Sequence, residues 1–160
     1  AVSFAVYHFC YGQAFPYEKG AELLSRRAHG KAELTRKLMQ KYPRECAEQA
    51  ADKLEKLGLI NDGEFADMLA QELYTHRKYG VSRVKQELLR RGIDRALAEE
   101  AAERLDKDDL NRIILLLQTK YRNNLGDEKG IIRTKNSLLR LGYSYSDIRA
   151  AFESIENESF

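Results

Sequence analysis

The sequence predicts an all-α fold of three tandem three-helix repeats forming an elongated, curved array. Three observations carry this. The pairs Leu38-Met39, Leu88-Leu89 and Leu138-Leu139 stand 50 residues apart, in register with Arg83 and Arg133, Lys85 and Lys135, Arg90 and Arg140, and Gly92 and Gly142. Leucine, alanine, glutamate, lysine and arginine dominate, with only two prolines and ten glycines, a composition that favours helix over sheet. Apolar residues recur three and four apart, the period of an amphipathic helix. A compact bundle with accidental self-similarity is the alternative. The shared register of basic, leucine and glycine positions favours the repeat. A unit near 50 residues is too small to bury a large core alone, so neighbours are expected to stack into an extended array.

The elements follow in order. Residues 1–17 stand apart, with six aromatics (Phe4, Tyr7, Phe9, Tyr11, Phe15, Tyr17) and almost no charge. They lack the basic start of a signal peptide and read as a strand or a hydrophobic arm. The first repeat, 18–61, is expected to hold helices near 18–28, 31–41 and 44–57. Leu34 and Leu38 share one face, Ala47, Ala51 and Leu54 another, and Gly58 is the stop. In the second repeat, 62–105, Asn61 and Glu64 open a helix through Phe65, Leu69 and Leu73. A basic helix runs from Ser82 to Arg91 with Val84 and Leu88 inward, Gly92 ends it, and Asp94 caps a helix carrying Leu97, Ala101 and Leu105. In the third, 106–160, Asp106 and Asp109 open a helix from Leu110 to Arg122. Its run Ile113–Leu117 is expected to be buried on most sides. A helix from Asp127 to Leu141 follows, stopped by Gly142. Ser144 or Ser146 then caps a last helix with Ile148, Phe152 and Ile155.

Net charge is only +2, but the charge is segregated. Residues 76–92 hold six bases (Arg77, Lys78, Arg83, Lys85, Arg90, Arg91) against Glu87, and 26–42 hold six (Arg26, Arg27, Lys31, Arg36, Lys37, Lys41) against Glu33. Residues 93–109 hold seven acids and three bases. Such a chain can meet a polyanion through one face while staying near neutral overall. Solvated helix faces are the plain alternative, which the recurrence at one repeat position argues against. Arg83 and Arg90 share a face beside the inward Val84 and Leu88. Arg36, Lys37 and Lys41 flank the Leu34/Leu38 stripe in the same manner, and Arg133 and Lys135 stand in register with Arg83 and Lys85.

Catalytic constellations are missing from the sequence. His8, His29 and His76 are scattered, and there is no HExxH, Walker A or GxSxG motif. The cluster Asp106, Asp108, Asp109 sits where acids favour a helix N-terminus, so capping is preferred over a metal site. Cys10 and Cys46 lack zinc spacing and read as free thiols in a reducing compartment. No stretch resembles a membrane span. No enzyme, cofactor or metal is therefore expected. Tyr42, Tyr79 and Tyr121, each beside bases, suit either base stacking or packing.

The run from Arg77 to Ile93 (RKYGVSRVKQELLRRGI) resembles the central signature of the RecX family of recombination regulators. Leu24–Leu34 (LSRRAHGKAEL) resembles its first repeat, Leu59–Ala66 (LINDGEFA) its inter-repeat junction, and Leu139–Ile148 (LRLGYSYSDI) its closing repeat. The likeness spans about residues 21–156 in order. It implies a monomeric, cytoplasmic negative modulator of RecA. Such a protein binds the RecA–single-stranded DNA filament and represses ATP hydrolysis, strand exchange and coprotease activity, and so regulates recombination, repair and the SOS response. DNA binding is also associated with the family. The basic positions carried over are Arg26, Arg27, Arg77, Lys78, Arg83, Lys85, Arg90, Arg91 and Arg140. The competing reading is a sequence-nonspecific nucleic-acid-binding helical protein. Residues 1–17 do not match the pattern. The first repeat also departs from it, with Lys41-Tyr42-Pro43 where the others have a glycine stop.

Overall fold

The computed structural model describes residues 16–158. Among them are nine α-helices, one short 3-10 turn and no strand. The helices are α1 Pro16–Arg26, α2 Lys31–Leu38, α3 Arg44–Lys56, α4 Asp62–Thr75, α5 Val81–Arg90, α6 Arg95–Glu103, α7 Asp109–Gln118, α8 Glu128–Arg140 and α9 Tyr145–Glu158. They fall into three sets of three, the helical-repeat fold read from the sequence. Helix α1 starts within the segment 1–17, whose other residues lie outside the described part.

The helix ends follow local chemistry. Asn61 Oδ1 accepts the amides of Gly63 (3.1 Å) and Glu64 (3.2 Å) at the start of α4. Asp94 accepts from Ala96 before α6, Asp127 from Gly130 before α8, and Ser144 from Asp147 before α9. Each satisfies an amide that the helix leaves unpaired. At the other end, Gly58, Gly92 and Gly142 have φ of +72°, +89° and +92°. The following residues Leu59, Ile93 and Tyr143 return hydrogen bonds to Leu54, Leu88 and Leu138 at 3.0, 3.1 and 3.3 Å. Helix α2 ends at Leu38 rather than near Lys41, because Pro43 restricts the residue before it and itself precedes α3.

Asp108, rather than Asp106, immediately precedes α7, and its side chain makes no capping bond. The Asp106 carbonyl instead accepts the Tyr74 hydroxyl. The run Ile113–Leu117 is only partly buried. Ile113 and Leu117 are inaccessible, whereas Leu115 is 57% exposed, because a two-sided helix cannot hide five consecutive residues. On α6 the inward face is Ala98, Ala101 and Ala102 with Leu105 beyond it, and Leu97 is only half-buried. Cys46 is buried and joined in a disulfide, not a free thiol. Its burial among alanines is that of a small apolar residue, but the thiol itself is consumed. Cys10 lies outside the described residues.

The described chain divides into two compact units: residues up to Met68 with Leu88–Ala98, and Leu69–Glu87 with Glu99 onward. The first unit has a core of Leu34, Leu38, Ala47, Ala50, Ala51, Leu54 and Ile60, with Tyr17, Leu23, Leu24 and Tyr42 against it. The second has a core of Ile113, Leu116, Leu117, Tyr121, Leu138, Tyr143, Ile148, Ala151 and Phe152. In both, a leucine of a middle helix (Leu38 of α2, Leu138 of α8) is fully enclosed. Among the described residues, no helix is long and apolar enough to cross a membrane.

Candidate partner-binding surface

The middle helices α2, α5 and α8 carry eight of the basic positions, while Arg26 ends α1 and Arg27, Arg77, Lys78 and Arg91 lie outside the helices. The placement of the middle helices begins at two glycines. In the first unit, a Cβ built on Gly92 would lie 2.5 Å from the Ala32 Cβ. In the second, a Cβ on Gly142 would lie 2.3 Å from the Arg83 Cβ. The stop of one middle helix therefore seats on the first turn of the preceding one, and it does so twice at nearly the same register. Tyr143 fastens the second junction: its hydroxyl donates to the Lys78 carbonyl (2.8 Å), while the Gly80 amide donates to the Leu141 carbonyl (2.9 Å). Lys78 itself sits at φ +57°, in the left-handed region.

An open recess lies beside each junction. The first, about 570 Å³, is lined by Lys31, Ala32, Thr35, Arg36, Met39 and Gly92 among others. The second, about 530 Å³, is lined by Ser82, Arg83, Gln86, Leu139, Arg140 and Gly142 among others. Ala32 and Ser82, Arg36 and Gln86, and Gly92 and Gly142 are register equivalents, so the two recesses share three lining positions.

The thirteen basic positions expected at the surface do not behave alike. Glu33, only 13% exposed along its side chain, holds Arg27 at 2.5 Å and Arg91 at 3.8 Å. Burial is the largest single influence on the Glu33 carboxyl and raises it, but the Arg27 hydrogen bond together with the electrostatic pull of Arg27, His29 and Arg91 holds the group below the usual carboxylate range. Buried Glu87 holds Arg83 at 2.9 Å. Arg26 pairs with Glu22 on the surface. Lys135 lies 4.8 Å from the Phe152 ring centre. These side chains are committed first to the fold, and Arg90 also has an intramolecular contact.

Lys37 is used differently. Its ammonium lies 3.0 Å from Nε2 of His29, whose Nδ1 lies 2.9 Å from the Arg27 carbonyl. A carbonyl only accepts and an ammonium only donates, so the imidazole is neutral with its proton on Nδ1. Burial, ahead of the nearby cations, pushes the His29 pKa down.

Arg36, Arg77, Lys78, Lys85, Arg133 and Arg140 have no intramolecular ion pair among the described residues. All but half-buried Lys85 are exposed. Arg36 and Arg140 line the two recesses. Of the tyrosines, Tyr121 is buried with its hydroxyl 2.7 Å from Ser137, and Tyr42 packs on the first core. Both are packing residues.

Sequence reasoning missed the acids Glu33 and Glu87 as partners of these bases, and missed a third set of residues around Tyr74. The Arg112 guanidinium lies over the Tyr74 ring and donates to the Tyr74 carbonyl, and half-buried Asp109 has its carboxyl pushed up by desolvation. Nothing about an arginine within an apolar helix distinguishes an inward from an outward one. Among the described residues, no group of His, Cys, Asp and Glu is arranged to hold a metal ion.

Three-helix sets with basic middle helices define a helical-repeat protein. Residues 17–54 match the family model for the first three-helix domain of RecX and residues 61–101 that for the second. The regulatory protein RecX of Trichlorobacter lovleyi is 34% identical over 146 residues, covering 86% of this chain and 93% of the relative. That of Pseudomonas entomophila is 34% identical over 101 residues, covering 62% of this chain and 64% of the relative. The crystal structure of RecX from Lactobacillus salivarius superposes with a TM-score of 0.73 at 24% identity, over 88% of this chain and 94% of that one. This likeness bears on the fold alone. The chain belongs to the RecX family of regulatory proteins.

Proposed function

We propose that the protein is a negative modulator of RecA. It binds the RecA–single-stranded DNA filament as a cytoplasmic monomer and represses ATP hydrolysis, strand exchange and coprotease activity, thereby restraining recombination, repair and the SOS response. The observation that carries this reading is the repeated exposed basic chemistry of the middle helices, with Arg36 on α2 and Arg133 and Arg140 on α8 left without an intramolecular ion pair. A repeated contact suits a repetitive acidic partner. Regulation of this kind needs no active site, only unequal affinity for the states of the filament.

The test is ATP hydrolysis by RecA on preformed filaments, titrating the protein with DNA in excess. Hydrolysis falls progressively with the wild-type chain and is spared by Arg133→Glu with Arg140→Glu. These two positions are preferred over Arg83, whose charge is bound to Glu87 and whose Cβ is confined by Gly142. The second reading, a nucleic-acid binder without specificity, draws on the same unpaired bases together with Arg77 and Lys78. It predicts a steep salt dependence on bare DNA and an effect on RecA that vanishes when DNA is in excess.

A further inference from the structure

The leucine pairs that first revealed the repeat are split by the structure. The first member is enclosed each time: Leu38 is 1% exposed, Leu88 0% and Leu138 0%. The second member faces solvent each time, and nearly equally: Met39 44%, Leu89 46% and Leu139 42%. Successive residues on a helix point 100° apart, so burial of the first leaves the second free to be anything polar. In three repeats it is a large apolar residue instead.

One exposed leucine would mean nothing. The other exposed large apolar residues among the described residues do not recur in this way. Leu57, Leu59 and Met68 have Lys107, Asp109 and Gln118 at the equivalent position, and Leu115 has buried Phe65. Ile132 has Ser82 and Ala32, Tyr145 has Arg95, and Leu110 has buried Ile60. Among the described residues, none of these keeps an exposed large apolar equivalent. The position of Met39, Leu89 and Leu139 keeps one throughout.

The flanking positions repeat as well. Three residues before the apolar one and one residue after it stand Arg36 and Gln40, Gln86 and Arg90, Asn136 and Arg140. All six are exposed. The two members of a pair are four apart, hence on one flank of the helix, away from the buried leucine. Every repeat thus sets one guanidinium and one carboxamide beside its apolar side chain. The order of the two changes between the first repeat and the others, while the chemistry does not. Met39 and Leu139 also border the recesses that hold Arg36 and Arg140.

We infer that this apolar, guanidinium and carboxamide set is a protein-binding element, used once per repeat. Its partner is a polymer of identical protein subunits, each offering an apolar hollow edged by carboxylate or carbonyl oxygens. A phosphate backbone has no use for a methionine or leucine side chain, and affinity from phosphates alone would select for lysine and arginine there. An apolar side chain ringed by forked donors is instead the composition of a protein interface, with arginine at its edge. The inference rests on the RecA reading above and specifies which part of the filament is gripped: its protein, not its DNA.

The experiment compares the wild-type chain with Met39→Ser/Leu89→Ser/Leu139→Ser in two binding assays at one salt concentration. One uses RecA filaments on single-stranded DNA and the other uses bare oligothymidine. Because all three side chains face water, the variant keeps the helical circular dichroism and melting temperature of the wild type. Filament affinity falls by roughly tenfold for each truncation that loses a buried contact, while affinity for oligothymidine is unchanged. Leu139→Met, which keeps the apolar volume, retains binding. Unchanged filament affinity in the folded triple variant overturns the inference and leaves the RecA reading intact. An equal loss on oligothymidine overturns it in favour of nucleic acid at these positions. Failure of the wild-type chain to bind filaments overturns the RecA reading and this inference with it.

Discussion

Gly142 and Arg83 meet backbone against backbone: a Cβ on Gly142 would lie 2.3 Å from the Arg83 Cβ and 2.6 Å from its amide nitrogen. No side-chain rotation relieves that approach. The glycine also holds φ at +92°. Gly58 shares the left-handed conformation (φ +72°) but has nothing within 4 Å of a built Cβ. The pair separates the two reasons for a glycine. Gly58→Ala is expected to lose about 1 kcal/mol, the backbone cost alone. Gly142→Ala adds overpacking, for a total of about 3 kcal/mol. Urea unfolding of the two variants checks the difference, and equal losses would refute the steric account of the junction.

The split leucine pairs predict opposite outcomes for neighbouring substitutions. Leu38→Ala opens a cavity in the first core and is expected to cost about 2–5 kcal/mol. Met39→Ala changes stability by no more than about 0.5 kcal/mol, since the side chain is already half in water. Thermal melts of the two single variants suffice, and comparable destabilisation would contradict the assignment of faces.

His29 gives the fold a pH dependence of known sign. Its folded pKa lies below the ordinary 6.5, because burial and then neighbouring cations oppose the charged ring. Between the folded pKa and 6.5 the unfolded chain binds the extra proton. Stability is therefore complete above 6.5 and declines as pH falls toward the folded value. Protonation would also place a second N–H against the Lys37 ammonium. Glu33 acts in a separate window, its contribution present above 4.5 and lost on further acidification. Melting temperature against pH is expected to slope below 6.5 in the wild-type chain and to flatten there in His29→Gln. The same slope in both would assign the effect elsewhere.

Tyr143→Phe removes the hydroxyl that holds the Lys78 carbonyl while keeping the ring in the second core. The expected loss is about 1 kcal/mol. Amide hydrogen exchange should rise around Lys78–Gly80 more than in α9. Uniform acceleration along the chain would show that the bond serves global stability instead of local anchoring.

Helix number, order and most boundaries were legible because they rest on local signals. Asn61, Asp94 and Ser144 cap, and Gly58, Gly92 and Gly142 stop, through contacts within a few residues. Errors arose where a distant residue decides. Leu115 was expected inside because apolar runs suggest burial, and only the packing of Ile113 and Leu117 shows which sides are used. Charge marked the middle helices as binding candidates, but it does not reveal which bases are occupied. Glu33 takes Arg27 and Arg91, and Glu87 takes Arg83, through geometry that composition lacks. The leucine pairs were visible as a register, whereas their division into one hidden and one exposed member needed the three-dimensional fold.

The Tyr143 hydroxyl and the Lys78 carbonyl are 65 residues apart in the chain. During synthesis Lys78 leaves the ribosome long before Tyr143 is added. Until then, the left-handed turn at Lys78 lacks the bond that holds it. Gly142, which seats the first turn of α5, is equally late. The second repeat therefore gains these contacts only once Gly142 and Tyr143 have been added. A messenger interrupted between the Lys78 and Tyr143 codons yields a chain whose basic middle helix is made but not yet moored.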